Sequence, residues 1–429
     1  MPSVFGAATD RGAGAAANPK LLSVVYQAIE NAGTAWVVLR GGEDSIERGG
    51  DIDILIEPDF LDRLTVGLHN LGFASVPSAG QGSHRFFLGF DGQTDKWIRL
   101  DFATRIDFGV HQELSTELAP DLLARRSRLD DHWRLNDDDA FWYLLLHRYL
   151  GERELRPLEL AVLAIHADAV GPLAELVDSI GLRHASSAEL IRLARERDWY
   201  ALDSVRANFK RKWRRQRGGA LRARLGNATE RWQHAVGGLT EPTGISITII
   251  GPDGAGKTTL AGGLRETLPF PSRYVYMGVW REYPWDRWIR FVPGLRLLQR
   301  LARLEYRTME AWFHRTRGRL VILDRFTYDV MLPSANLDSR GRITAWLVQK
   351  VCAEPQLVLV LNAPAELMWE RKGEQGIEEL ERRRLSYLEM AGARDYSVVI
   401  DARQSVDEVR ARAQEAVWHR LRQHWNRLD

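Results

Sequence analysis

The stretch Ile245-Ser-Ile-Thr-Ile-Ile-Gly251-Pro-Asp-Gly-Ala-Gly-Lys-Thr258 decides how the second half of the chain is read. Its first six residues are apolar apart from Ser246 and Thr248, and a short apolar run that ends at turn residues reads as a buried strand. The eight residues from Gly251 match G-x-x-x-x-G-K-[ST]. That spacing has a physical cause. Glycines let the backbone fold around a polyphosphate, so that successive N–H groups and the start of the following helix point at it. Gly251, Gly254 and Gly256 meet this need, with Asp253, Ala255 and Thr259 completing the loop. Lys257 supplies a point charge for the β- and γ-phosphates, and the Thr258 hydroxyl supplies a ligand for Mg²⁺. The expected cofactors are therefore Mg²⁺ and ATP or another nucleoside triphosphate.

Working outward, Leu320-Val-Ile-Leu-Asp324 reads as a buried strand ending in an acid, and further strands fit at residues 357–361 and 397–400. In a parallel sheet ligands sit beyond the carboxyl ends of the strands, so Asp324 and the glycine-rich loop are expected at one crevice, both serving the metal. The prediction is a doubly wound parallel-sheet P-loop domain over residues 244–429. The run 251–259, the pair Asp324-Arg325 with Phe326, and the ending Val398-Val-Ile-Asp401-Ala402 resemble the thymidylate kinase family. The resemblance implies that Asp253 approaches the acceptor, that Asp324 and Arg325 serve metal and acceptor phosphate, and that a mobile lid brings arginines to the phosphoryl group. Residues 369–387 fall where that lid would lie and carry Arg371, Lys372, Arg382, Arg383 and Arg384; Arg371 and Arg382 are the expected catalytic cations. The family's Arg-Glu-Pro-Gly motif is missing, since Arg281-Glu282-Tyr283-Pro284 runs on into Trp285, which argues against thymidylate itself. The Trp- and Arg-rich stretch 279–317 reads either as packed helices or as a pocket for a larger acceptor.

The first half has a different texture. Residues 21–135 alternate helix-like and strand-like pieces: Leu21 to Asn31 is amphipathic, Trp36 to Leu39 is strand-like, and Ile52, Ile54 and Ile56 alternate strictly. Asp51 and Asp53 lie two apart on that strand, so both carboxylates face one way. Two acids on one face can hold Mg²⁺, and a third from a neighbouring strand, Asp101, can join them and take a proton from an attacking hydroxyl. Gly41 and Gly42 would let the backbone lie against phosphates. The pieces Leu39-Arg-Gly41-Gly42, Asp51-Ile-Asp53 and Ile98-Arg-Leu-Asp101 resemble, in that order, the nucleotidyltransferase fold of the DNA polymerase β superfamily. The resemblance implies an α+β domain with Asp51, Asp53 and Asp101 as metal ligands and a helical extension, which residues 136–204 suit. His84 and Arg85 are candidates for a substrate phosphate. Residues 205–243 read as a basic linker, with Arg211, Lys212, Arg214, Arg215, Arg217 and Arg222 followed by Gly237-Gly238.

At 429 residues the chain is too long for one core, and its net charge of +2 gives no global argument for a nucleic-acid or membrane partner. Only seven of 59 basic residues are lysine, so arginine clusters carry little information here and a lysine at a defined place carries more. No apolar run approaches the roughly 20 residues of a membrane span. Cys352 is the single cysteine, which excludes an intrachain disulfide and points to the cytoplasm. Together these features predict a bifunctional enzyme with a small-molecule acceptor. Nucleic-acid end processing and a non-catalytic nucleotide switch are the competing readings, and a homodimer is left open.

Overall fold

The computed structural model describes residues 21–77, 83–109, 112, 114–151, 157–182, 185–216, 241–277, 295–324, 328, 343, 346–347, 350 and 352–428. Arg325, Phe326, Arg217, Arg222, the Gly237-Gly238 pair and the Arg281–Pro284 departure lie outside them, as do residues 279–294 of the Trp-rich stretch. The fold is mixed α/β, with one mixed sheet, one parallel sheet and a small two-stranded ribbon.

Helix α1 (Leu21–Asn31) forms because Leu22, Val25, Tyr26 and Ile29 recur at helical spacing, and all four are buried. It covers a seven-stranded sheet in the order β3 (Ala74–Ser75), β4 (His84–Asp91), β5 (Lys96–Ala103), β2 (Asp51–Ile56), β1 (Trp36–Arg40), β9 (His132–Arg134), β8 (Ser127–Leu129). Strand β2 runs antiparallel to β1 and parallel to β5, the short helix α2 (Glu43–Glu47) links β1 to β2, and β6 (Ile106–Phe108) with β7 (Leu114–Thr116) makes the two-stranded ribbon. On one face Ile52, Ile54 and Ile56 pack with α1 and with Leu64 and Leu68 of α3 (Leu61–Asn70). The opposite face, where the two acids of β2 project, is covered as well. Val37, Leu39 and Leu55 join a core shared with α4 (Ala119–Ala124) and a helical bundle. Asp53 is consequently only 5% exposed.

The bundle comprises α5 (Asp137–Leu150), α6 (Pro157–His166), α7 (Pro172–Ile180), α8 (Ser187–Arg195) and α9 (Trp199–Gln216). Asn136 starts it by accepting the Asp139 amide at 2.9 Å, a side-chain cap for an otherwise orphan donor. Helix α9 continues past residue 204, where a linker is expected from the charge run. Phe209 and Trp213, four residues apart, bury one stripe of the basic helix in the bundle core while Arg211 and Arg215 stay exposed.

The second half forms a five-stranded sheet whose adjacent strands all pair in parallel. Its order is β11 (Ser272–Tyr276), β12 (Leu320–Asp324), β10 (Ser246–Ile250), β13 (Leu357–Asn362), β14 (Ser397–Asp401). Burial on both faces explains the continuous apolar runs of β10, β12 and β13. The flanking helices are α10 (Lys257–Thr267), α11 (Leu295–Arg315), α12 (Ala365–Lys372), α13 (Ile377–Gly392) and α14 (Val406–Trp425). A reciprocal Ser405–Glu408 capping box opens α14. Helix α11 occupies most of the second part of the Trp- and Arg-rich stretch.

The two sheets are joined through β4 and β5. Trp97 sets its ring edge-on against Phe270 and Trp418, with centroids 5.8 and 5.5 Å away. Asp95 takes a hydrogen bond from Gln414 at 2.6 Å and pairs with Arg410 at 3.2 Å. Ala74 and Leu88 belong to the same core cluster as Ile247 and Leu359, so apolar packing runs across the junction.

Candidate functional site

Two places gather the residues singled out from the sequence. The first is the loop between β10, the central strand of the parallel sheet, and α10. Strand order reverses around β10, whose neighbours are β12 on one side and β13 on the other, and this is where a parallel sheet leaves a crevice. Gly251, Gly254 and Gly256 have φ of 147°, 85° and 98°. At Gly254 the requirement is steric as well as torsional: a Cβ would stand 2.4 Å from the Met368 carbonyl oxygen of α12. Ala255 is buried under the loop, while Thr258 and Thr259 are exposed on the first turn of α10. No side chain caps α10, so its first amides keep the donors that every helix start leaves over.

Lys257 donates to the carbonyls of Gly251 and Pro252, each at 2.8 Å, and lies 3.7 Å from the Asp253 carboxylate. Asp253 also accepts from the Gln375 amide at 3.2 Å, and Arg383 of α13 stands 3.9 Å away while donating to the other end of Gln375 at 3.2 Å. Asp324 ends β12 level with Ile249 of β10, and the Tyr274 hydroxyl of β11 hydrogen-bonds its carboxylate. The expected lid cations divide. Arg383 reaches the loop, Arg384 is held between Glu381 and Asn362, Arg371 donates to the Ala402 carbonyl at 3.4 Å, and Arg382 pairs on the surface with Glu379. Arg325 lies outside the described residues.

The second place is the edge shared by β2, β5 and β1. Asp53 and Asp101 are register partners on parallel strands, and Asp51 is the partner of Arg99. Each carboxylate faces a base. Arg40 grips Asp53 Oδ2 through Nη2 at 2.7 Å and Nε at 3.0 Å; His84 Nδ1 lies 2.8 Å from Asp101; and Arg99 is 3.7 Å from Asp51. Arg85 turns the other way, to Asp62 at 2.9 Å. Burial drives the Asp53 carboxyl up to about 6, helped by the charges of Asp101 and Asp51 and opposed by Arg40. Burial pulls the His84 imidazole down, yet the hydrogen bond and charge of Asp101, with Asp107 and Asp53 behind it, outweigh that and raise it. Gly41 (φ 93°) closes the site from β1: a Cβ there would stand 2.6 Å from the Asp51 carbonyl oxygen, while Gly42 has open space around it.

Among the described residues no group of three or more His, Cys, Asp or Glu side chains is gathered as a ready metal-ligand set. The bases explain this, since each acid is turned to its own partner. One atom does fit a cation: Asp53 Oδ1 is buried without a hydrogen-bond partner. Arg40, Tyr274 and Gln375 were not expected as site residues. Only Arg40 left a trace in the sequence, as the last residue of an apolar strand before Gly41-Gly42.

Beside Arg40 opens a cavity of about 500 Å³ between the end of β1 and helices α5 and α6. Searches of the chain against protein-family models and against curated proteins find no match.

Proposed function

We infer that the chain is a bifunctional Mg-ATP-dependent transferase: a P-loop kinase similar to the thymidylate kinases, acting on a small nucleotide-like or sugar-like acceptor, fused to a nucleotidyltransferase-like unit. The observation that carries this reading is the loop Gly251–Thr258, three glycines with left-handed φ set between the central strand of a parallel sheet and an uncapped helix. Such a loop offers an anion preoriented backbone donors in a place where strand order reverses.

Within this reading the Lys257 ammonium leaves the loop carbonyls for the β- and γ-phosphates, a fair exchange because both partners are oxygens and the phosphates carry full charge. Thr258 and Asp324 would hold Mg²⁺, which would neutralise phosphate charge. Tyr274 fixes the Asp324 carboxylate from the neighbouring strand. Asp253 orients the acceptor, and Arg383, already beside Asp253, supplies positive charge where the phosphoryl group passes. In the first unit, Asp51, Asp53 and Asp101 would hold the metal, with the orphaned Asp53 oxygen as the first point of entry. Arg40 can keep Asp53 Oδ2 while the free Oδ1 faces the metal, whereas His84, whose Nδ1 reaches both oxygens of Asp101, must give up that carboxylate.

The test is calorimetric binding of Mg-ATP to the whole chain, followed by transfer from γ- and α-labelled ATP to an acceptor panel. Magnesium-dependent uptake lost in Lys257→Ala, with γ-label transfer lost in parallel, is the expected result. Uptake unaffected by that change defeats the kinase reading, and α-label transfer that survives Asp53→Asn defeats the reading of the first unit.

A further inference from the structure

We propose that the cavity beside Arg40 is the acceptor pocket of the first unit and takes an apolar molecule bearing a single anionic group, a carboxylate or a phosphate monoester. The proposal rests on the nucleotidyltransferase reading of that unit and names the kind of acceptor it uses.

The wall of the cavity is made by Leu39 of β1, by Ala140 and Leu144 of α5, and by Val162 and Leu163 of α6. Its volume of about 500 Å³ lies in the range of small-molecule pockets, which bury most of a ligand against hydrocarbon. Among the described residues that line it, the charged ones are Arg40 and Glu159, and Tyr143 of α5 adds a hydroxyl. This composition selects against a nucleobase. A purine or pyrimidine edge carries several donors and acceptors, and set against leucine, valine and alanine each unmatched one is left without the hydrogen bonds that water gave it. A hydrocarbon body carries no such cost and gains by leaving water.

The charge beside the acid cluster fixes the other half of the ligand. Arg40 spends Nε and one Nη2 bond on a single oxygen of Asp53, and a guanidinium has five N–H donors, so donors remain on the side away from the carboxylate. The same side chain therefore touches the acidic site on one side and the apolar cavity on the other. An anionic oxygen held there lies next to the Asp53–Asp101 pair, where it would form its bond to the α-phosphorus of the nucleoside triphosphate as the bond to the bridging oxygen breaks and pyrophosphate leaves, while the apolar body fills the space between α5 and α6. Sugars, polyamines and neutral hydrocarbons each miss one half of this description.

Binding of 2-naphthoate, 2-naphthyl phosphate and neutral 2-naphthol to the full chain, measured by calorimetry with Mg²⁺ and a non-hydrolysable ATP analogue present, reads out the proposal without catalysis. At least one anion should bind about tenfold or more tightly than naphthol, a difference of about 1.4 kcal/mol, and the tighter of the two anions identifies the headgroup. Val162 is 63% exposed on the rim, so Val162→Trp plugs the cavity without emptying the core, and it should weaken the preferred anion about tenfold. Leu158→Asp, at an 83% exposed rim position, should weaken it as well. ATP binding at the P-loop and the thermal midpoint serve as folding controls and should not change. Equal affinity for all three probes, or full affinity in Val162→Trp, overturns the pocket. Saturable anion binding that Val162→Trp removes, in a protein that shows no α-label transfer to any anion, leaves the pocket standing and removes only the nucleotidyltransferase reading.

Discussion

The loop at Gly251–Thr258 and the acid cluster around Asp53 are built from opposite materials. The loop draws its shape from backbone torsions and its donors from main-chain amides, so little has to move before an anion can sit in it. The acid cluster is made of side chains, and Arg40, His84 and Arg99 each stand against one of its carboxylates. On the proposed reading a ligand meets preset backbone donors at the loop and displaces only Lys257 from two carbonyls, whereas at the acid cluster it has to part carboxylates from their basic partners. The cost of that exchange is set by burial, because ions taken out of water depend on their counter-charges.

The sharpest way to break this contrast is at Lys257. Lys257→Ala should lower γ-phosphoryl transfer by about a hundredfold or more, on the scale of losing one preorganised electrostatic contact, and should leave naphthyl anion binding in the cavity beside Arg40 intact. Radiolabel transfer and calorimetry on the same preparation check it.

Next in size is the proton on Asp53. Because the folded chain holds this proton more tightly than the unfolded chain, the contribution to stability is complete below pH 3.8 and is lost as pH rises through about 6. The range from 3.8 to about 6 corresponds to about 3 kcal/mol. Urea melts of the wild type and Asp53→Asn across this range should diverge by up to that amount and run level above it.

The junction gives a smaller effect. Trp97→Ala removes two edge-to-face contacts and a partly buried ring, about 2 kcal/mol, and calorimetric melting should resolve two transitions where the wild type has one. Smallest is Arg382→Ala. Its pair with Glu379 is exposed, so stability should change by about 0.5 kcal/mol or less, whereas Arg383→Ala should slow phosphoryl transfer measurably.

The contrast also explains what could be read in the sequence. Backbone-coded features were legible: a strand running into G-x-x-x-x-G-K-T gives the loop and the neighbouring strand ending at Asp324, and strict alternation gives β2. Edge strand β11 was not, because Ser272-Arg-Tyr-Val-Tyr buries little beyond Val275 and so carries almost no hydrophobic period. Nor was the burial of Asp53, which depends on the α5 core some 90 residues further along the chain. Arg383 rather than Arg382 faces the loop for a similar reason. One residue on a helix is a turn of about 100°, and the phase of α13 is set by Leu380 and Tyr387 packing on the sheet.

Strand β5 carries Trp97 near one end and Asp101 near the other. At about 3.3 Å per residue they are roughly 13 Å apart on one hydrogen-bonded rod. The α14 contact and the acid cluster are thus footholds on one and the same strand, so a substitution at either end is made in a shared element.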